Sequence, residues 1–250
     1  MAATPQFLPR RGGVRGVPSP HGRKQHRVHE LLVLQACYGG SLERLEDVDW
    51  VAATAPENTP PLIIRDRLVI SASDAPEVLA QLERKYPGRI LLTFPAEQAF
   101  GTGNHATTST CLRLLCYCAR ELRGREWTLA DIGCGTGVLA LAGLRLGAVR
   151  AVAFDFAPKA VEVAERNIKR NGGAPNLKLF QADVFKWKPA KAEVADVVLA
   201  NLFSAVLQKA FPRLLRAMKP QGVLIISGIL RTQAEETLAA AMALTARPKP

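Results

Sequence analysis

Residues Leu129 to Leu141 read Leu-Ala-Asp-Ile-Gly-Cys-Gly-Thr-Gly-Val-Leu-Ala-Leu: an apolar run carrying Asp131, glycines at every second position, then an apolar helical stretch. Glycine has no Cβ and enters backbone conformations closed to other residues. Gly133, Gly135 and Gly137 therefore allow a strand to bend sharply into a helix, and allow the backbone to approach a ligand at the positive end of that helix. A second carboxylate, Asp155, ends the apolar run Ala151 to Phe154, where a parallel neighbouring strand would set it against a ribose edge. The pattern reads as the nucleotide-cradling turn of an α/β fold, although many turns carry such glycines for purely structural reasons.

The spacing also discriminates between ligands. A dinucleotide dehydrogenase wants its third glycine one place later, where Val138 stands, whereas the tighter spacing is the habit of enzymes that use S-adenosylmethionine. A methyl donor is favoured over a hydride carrier.

The chain has 250 residues, enough for one or two domains. Its longest apolar runs, such as Val194 to Ala200 and Val223 to Ile226, fall far short of the ~20 residues that span a bilayer. No secretory segment follows the charged N-terminus, so a cytoplasmic protein without membrane association is expected. Cys37, Cys111, Cys116, Cys118 and Cys134 show neither zinc spacing nor a framework of bridges. Cys111, Cys116 and Cys118 lie in an apolar helical pattern and are expected as reduced core residues.

The formal charge of +11 is unevenly spread: six Lys/Arg residues and no acid lie between Arg10 and Arg27. Mixed with glycine and proline, residues 1–27 read as a disordered basic arm, either a tail without specific role or one that touches RNA weakly. His21, His26 and His29 have no ligand partners at metal spacing, and no metal site is expected.

Val28 to Tyr38 has a helical pattern closed by Gly39-Gly40 and followed by a short amphipathic stretch to Trp50, and residues 55–61 read as a proline-rich linker. Pro61 to Ser71 reads as a strand, Leu62-Ile-Ile and Leu68-Val-Ile around a charged turn, and a helix runs from Asp74-Ala-Pro to near Tyr86. Regular alternation follows. Strand Ile90 to Phe94 leads through the loop Phe100 to His105 to a helix from about Thr107. Strand Trp127 to Asp131 precedes helix Gly137 to Leu146. Strand Ala151 to Asp155 precedes helix Pro158 to Arg170, opened by proline, closed by Asn171-Gly172, and apolar along Ala160, Val161, Ala164 and Ile168. Strands Leu177 to Phe180, Val194 to Leu199 and Val223 to Ile229 complete the series, with helices at about Ala205 to Met218 and after Ile229. Such units build a mostly parallel sheet with helices on both faces, and ligands gather beyond the carboxyl ends of its strands.

Four of those ends carry polar residues. Asp131 and Asp155 are the first two. Asp183 is placed where a carboxylate could accept the exocyclic amine of an adenine, and Asn201 directly follows Val197-Val-Leu-Ala, where an amide can both donate and accept. Each alone would also serve as a turn or cap.

Ala99-Phe100-Gly-Thr-Gly-Asn-His105-Ala-Thr-Thr108-Ser, Asp131-Ile-Gly-Cys-Gly-Thr-Gly, Ala-Phe-Asp155-Phe-Ala-Pro158 and Ala200-Asn201-Leu-Phe resemble the ribosomal protein L11 methyltransferases, the PrmA-type class I enzymes. The similarity runs from about Trp50 to Thr232, and the loop ending in Thr107-Thr108 is its most specific part. The resemblance implies a Rossmann-like fold and S-adenosylmethionine held by Thr108, Gly133, Asp155 on the ribose, and Asn201 near the methionine portion. Gly135 and Asp183 join them as cofactor-binding candidates. It also implies methylation of lysine side chains and the N-terminal amine of a large-subunit ribosomal protein, with Phe100 in a flap over the cofactor. His105 is a candidate proton acceptor, or else a cap of the following helix.

The resemblance implies further expectations where the chain departs from its pattern. Residues 28–54 read as a remnant of an N-terminal substrate-recognition domain, and residues 55–250 as the methyltransferase domain. Ending at Ala246-Arg-Pro-Lys-Pro, the fold is expected to lack the last two strands of its class. The competing readings are a methyltransferase for RNA or a small amine, and a truncated non-catalytic remnant.

Overall fold

Short apolar runs bounded by turn residues cannot bury themselves alone, so they pair. The computed structural model describes residues 59–95 and 106–245, all within the unit spanning residues 49–250. The basic arm, the 28–54 segment, Cys37, Phe100 and His105 lie outside the described residues.

The described residues form two sheets. The smaller has three strands in the order β1-β2-β3, formed by β1 (Leu62–Ile64), β2 (Leu68–Ser71) and β3 (Ile90–Thr93). β1 pairs antiparallel with β2, and β3 pairs parallel with β2 after the crossover helix α1 (Pro76–Lys85). The even alternation of strands and helices suggests that Ile90 to Phe94 joins the main sheet, but it joins β2 instead. A parallel partner only 19 residues back requires one crossover helix, and α1 supplies it, with Pro76 in its first turn. The end of β3 is tied to the rest of the molecule by Asn171, whose Oδ1 accepts from Thr93 N–H and whose Nδ2 donates to Thr93 O, both at 2.8 Å.

The main sheet is all parallel. It comprises β4 (Thr128–Ile132), β5 (Arg150–Asp155), β6 (Leu177–Gln181), β7 (Ala195–Asn201) and β8 (Met218–Ser227), in the order β6-β5-β4-β7-β8. The chain winds outward from β4 in one direction, then returns to lay β7 against the other side of β4. The switch point lies between the carboxyl ends of β4 and β7.

Strand parity divides the core. Leu129, Ala151, Val197, Leu199 and Ile225 pack on one face with α2 (Ala106–Glu121) and α3 (Val138–Arg145). Ala130, Ile132, Val152, Phe154, Val198 and Ala200 pack on the other with α5 (Ser204–Arg216) and Trp187. Cys111, Cys116 and Cys118 are buried free thiols on α2, and burial pushes the first two up to about 11.

Two local expectations are corrected. The buried face of α4 (Pro158–Arg170) is Ala160, Val163, Ala164 and Asn167, whereas Val161 and Ile168 are only partly covered. Asn167 belongs inside because its side-chain amide donates to Thr136 O at 3.2 Å. β8 starts at Met218, five residues before Val223, through an irregular register in which Ala195 faces Met218 and Val197 faces Val223. The final helix, α6 (Ala234–Thr245), packs against α5.

Candidate functional site

The glycine turn adopts the conformations its composition permits. Gly133, Gly135 and Gly137 have φ of +77°, +53° and +79°. Gly133 N–H and Cys134 N–H both donate to Phe154 O, at 2.9 and 3.0 Å, and Gly137 N–H closes the turn on Cys134 O at 2.8 Å. A Cβ at 133 would collide with the Leu202 side chain, and one at 137 would stand 3.2 Å from Ala164 Cβ. Glycine is required here by angle and by space together.

Hinge and acid are in direct contact. Gly135 N–H donates to Asp155 Oδ2 and Ala157 N–H donates to Asp155 Oδ1, both at 3.0 Å. The carboxylate therefore orients the turn, and the second lone pair of each oxygen remains for a diol.

Asp131 points the other way, into the core. It is 1 % exposed; its Oδ2 accepts from Ala140 N–H at 3.0 Å in the first turn of α3, and its Oδ1 has no partner among the described residues. Burial pushes this carboxyl up to about 7 against the pull of the Ala140 hydrogen bond, and the neighbouring charge of Asp155 adds to the rise. On the adjacent strand Asn201 repeats the arrangement: its Nδ2 donates to Thr107 Oγ1 and Thr108 Oγ1 at 3.4 Å, while its buried Oδ1 has no partner among the described residues. Two neighbouring strand ends thus present one buried acceptor each at the switch point. The orphan oxygen of Asp131 is the feature that sequence reasoning missed.

Thr108, Gly133, Gly135, Asp155 and Asn201 are brought together by these bonds or by the β4–β5 and β4–β7 pairings. Asp183 stands two residues beyond β6, half-buried, with Oδ1 accepting from Phe185 N–H at 2.8 Å in a tight turn. Three large apolar side chains follow the carboxyl ends of β5, β7 and β8 and are exposed: Phe156 at 71 %, Phe203 at 77 % and Leu230 at 65 %. Their available signal was an aromatic or leucine within two or three residues of a polar strand end. Cys134, inside the turn, is buried, and burial beside Asp131 and Asp155 drives its thiol well upward, away from nucleophilic chemistry. No three His, Cys, Asp or Glu side chains cluster as metal ligands among the described residues, and no described helix is long and apolar enough to cross a membrane.

An open parallel sheet whose glycine hinge is bonded to an acid on the next strand is the arrangement of the class I methyltransferase fold. Residues 24–246 match the ribosomal protein L11 methyltransferase (PrmA) family, and the chain belongs to that family. A ribosomal protein L11 methyltransferase of Actinobacillus pleuropneumoniae serotype 5b is 37% identical over 205 residues, covering 81% of this chain and 64% of that protein. One from Pasteurella multocida is 38% identical over 207 residues, covering 82% and 64%. The chain therefore spans less than two thirds of the length of these relatives. The crystal structure of ribosomal protein L11 methylase from Lactobacillus delbrueckii subsp. bulgaricus superimposes with a TM-score of 0.58 and 25% identity, over 73% of this chain and 87% of that one.

Proposed function

We propose that this chain binds S-adenosylmethionine and transfers methyl groups from it to amino groups, lysine side chains and the N-terminal amine, of ribosomal protein L11. The observation that carries the reading is the bond between hinge and acid, Gly135 N–H to Asp155 Oδ2 at 3.0 Å, beside two buried acceptors without partners among the described residues. Those acceptors fit the group. An ammonium brings three donors and a positive charge, and Asp131 Oδ1 with Asn201 Oδ1 would receive them at the amino-acid end of the donor. In the same reading Asp155 takes the ribose, Asp183 the adenine amine, and Thr108 and the glycine backbone line the cradle.

When bound, the sulfonium supplies a methyl group that is already activated. The protein's task is alignment and exclusion of water. The acceptor amine must also be neutral, and a free lysine with a pKa near 10.4 pays about 4.6 kcal/mol for that at pH 7. Phe203, two residues beyond Asn201, would favour the neutral form of an amine brought against it, because an ammonium placed on apolar surface loses hydration. Residues 55–250 form the methyltransferase domain in this reading and residues 28–54 the end of a recognition domain. A ribosomal acceptor implies a cytoplasmic reaction.

Calorimetric titration with S-adenosylhomocysteine tests the cofactor half: absence of binding at millimolar ligand would remove every methyltransferase reading. Mass spectrometry of unmodified ribosomes incubated with the chain and labelled donor tests the acceptor half. Label on L11 is expected; label confined to RNA or small amines would replace the substrate and keep the chemistry.

A further inference from the structure

α2 has two ends, and methyl transfer uses one. Thr107 and Thr108 meet Asn201 at its start, while Arg120 lies twelve residues along the same helix, roughly 18 Å away. There the helix faces the turn between β1 and β2, and Arg65, Asp66, Arg67, Cys116, Tyr117, Arg120 and Arg123 line a cavity of about 170 Å³. Four of the lining residues are arginines and one is an acid.

The local structure holds them there. The turn closes through Arg67 N–H donating to Ile64 O at 3.2 Å, and Arg65 adopts φ +50°, a left-handed conformation that favours glycine. Arg89 Nη1 braces it by donating to Arg65 O at 3.0 Å. Arg67 is half-buried and Arg65 exposed, and both line the cavity that Cys116 and Tyr117 of α2 also line. Arg120 lies 5.1 Å from the ring centre of Tyr117, which is 48 % exposed. The only acid partner of Arg120 among the described ion pairs is its neighbour Glu121, at 3.3 Å on open surface, where such a pair holds weakly.

Like charges gathered in one cleft repel unless an anion joins them. All four are arginines, whose planar fork matches phosphate oxygens two at a time, and the exposed tyrosine offers a flat face on which a base can stack. We propose that this cleft is an RNA-binding site, taking backbone phosphates between the β1–β2 turn and the end of α2, with Tyr117 against a base. It is separate from the methyl-donor site and stands whether or not that assignment holds.

The test uses the full chain and a variant carrying Arg67→Gln, Arg120→Gln and Arg123→Gln, with Arg65 kept because its main chain makes the turn. Fluorescence anisotropy with a labelled hairpin RNA bearing single-stranded tails is recorded across a salt series. The variant is expected to bind at least tenfold more weakly, with a log–log salt slope shallower by about 0.7 for each phosphate that is no longer neutralised. Melting temperature and S-adenosylhomocysteine affinity should not change. Arg123→Lys, alone, keeps the charge without the fork and should retain the salt slope while losing part of the affinity. Equal affinity and slope in wild type and triple variant overturn the proposal and assign any RNA binding elsewhere, such as the basic run at 10–27. A difference between the two chains seen only with inorganic phosphate, or only with phosphatidylserine vesicles, also overturns it.

Discussion

The two ends of the parallel sheet treat their carboxylates in opposite ways. At the amino-terminal ends, Asp196 Oδ2 accepts from Thr128 N–H, Thr128 Oγ1 and Lys219 Nζ, at 2.8, 3.0 and 2.8 Å. Glu193 accepts from Lys178 Nζ at 2.6 Å and from Ala190 N–H at 2.9 Å. Burial works against both charges, yet the lysines and backbone amides hold both acids below the usual carboxylate range. At the carboxyl-terminal ends, Asp131 is fully buried, keeps an oxygen without a partner among the described residues, and is pushed up to about 7. A cavity of about 790 Å³ does open at the amino ends, beside Thr128, Arg150, Lys178 and Lys219, but two of its three cations are already paired. Saturated acids brace the fold. The unsaturated one is the acceptor that the proposed reading gives to the methyl donor.

The largest test of this contrast is Gly133→Ala at the ligand end. The left-handed φ of +77° and the collision with Leu202 should together lower stability by roughly 2–5 kcal/mol, measured by urea unfolding. Adding Leu202→Ala should recover part of the loss. Without recovery, the close approach of Leu202 is not what excludes a side chain there.

At the opposite end Asp196→Ala strips three donors of their acceptor and should lower stability by about 1–3 kcal/mol. The pH response sharpens the comparison. A carboxyl held low in the folded state adds stability that is present above its ordinary value of 3.8 and is lost as pH falls through the folded value. Asp196→Asn should therefore flatten the acid limb of the stability curve.

Asp131→Asn should give the smallest change in unfolding midpoint in acid, and an opposite trend with pH. A raised carboxyl contributes stability that is complete below 3.8 and is lost as pH climbs through about 7. The amide should thus stand progressively better relative to wild type between those limits, while S-adenosylhomocysteine affinity falls. An Asn variant that tracks wild type across that window would show that Asp131 does not titrate there.

Most of the sheet and its glycine turn could be read directly from local pattern, because apolar period and turn chemistry act between near neighbours. Pro158 to Arg170 is the helix observed, residue for residue. What escaped depends on partners far along the chain. Asn171 was legible as a helix stop, but its bonds to Thr93 cross 78 positions. Asp196 meets Thr128 across 68. Asn167 sits inside because of a carbonyl at Thr136, so no apolar period could have placed it. At the site, Asp155 and Asn201 were visible as polar strand ends, whereas the orphan oxygen of Asp131 is a negative fact, visible only once every neighbour has a position.

Asn171 has one consequence for how the molecule meets others. By giving Thr93 both an acceptor and a donor, this amide behaves toward β3 as a strand one residue long, on the outer strand of the smaller sheet. Outer strands invite foreign chains to zip onto them through main-chain groups. Here the last rung is already taken, so a visitor at that corner must be recognised by its side chains.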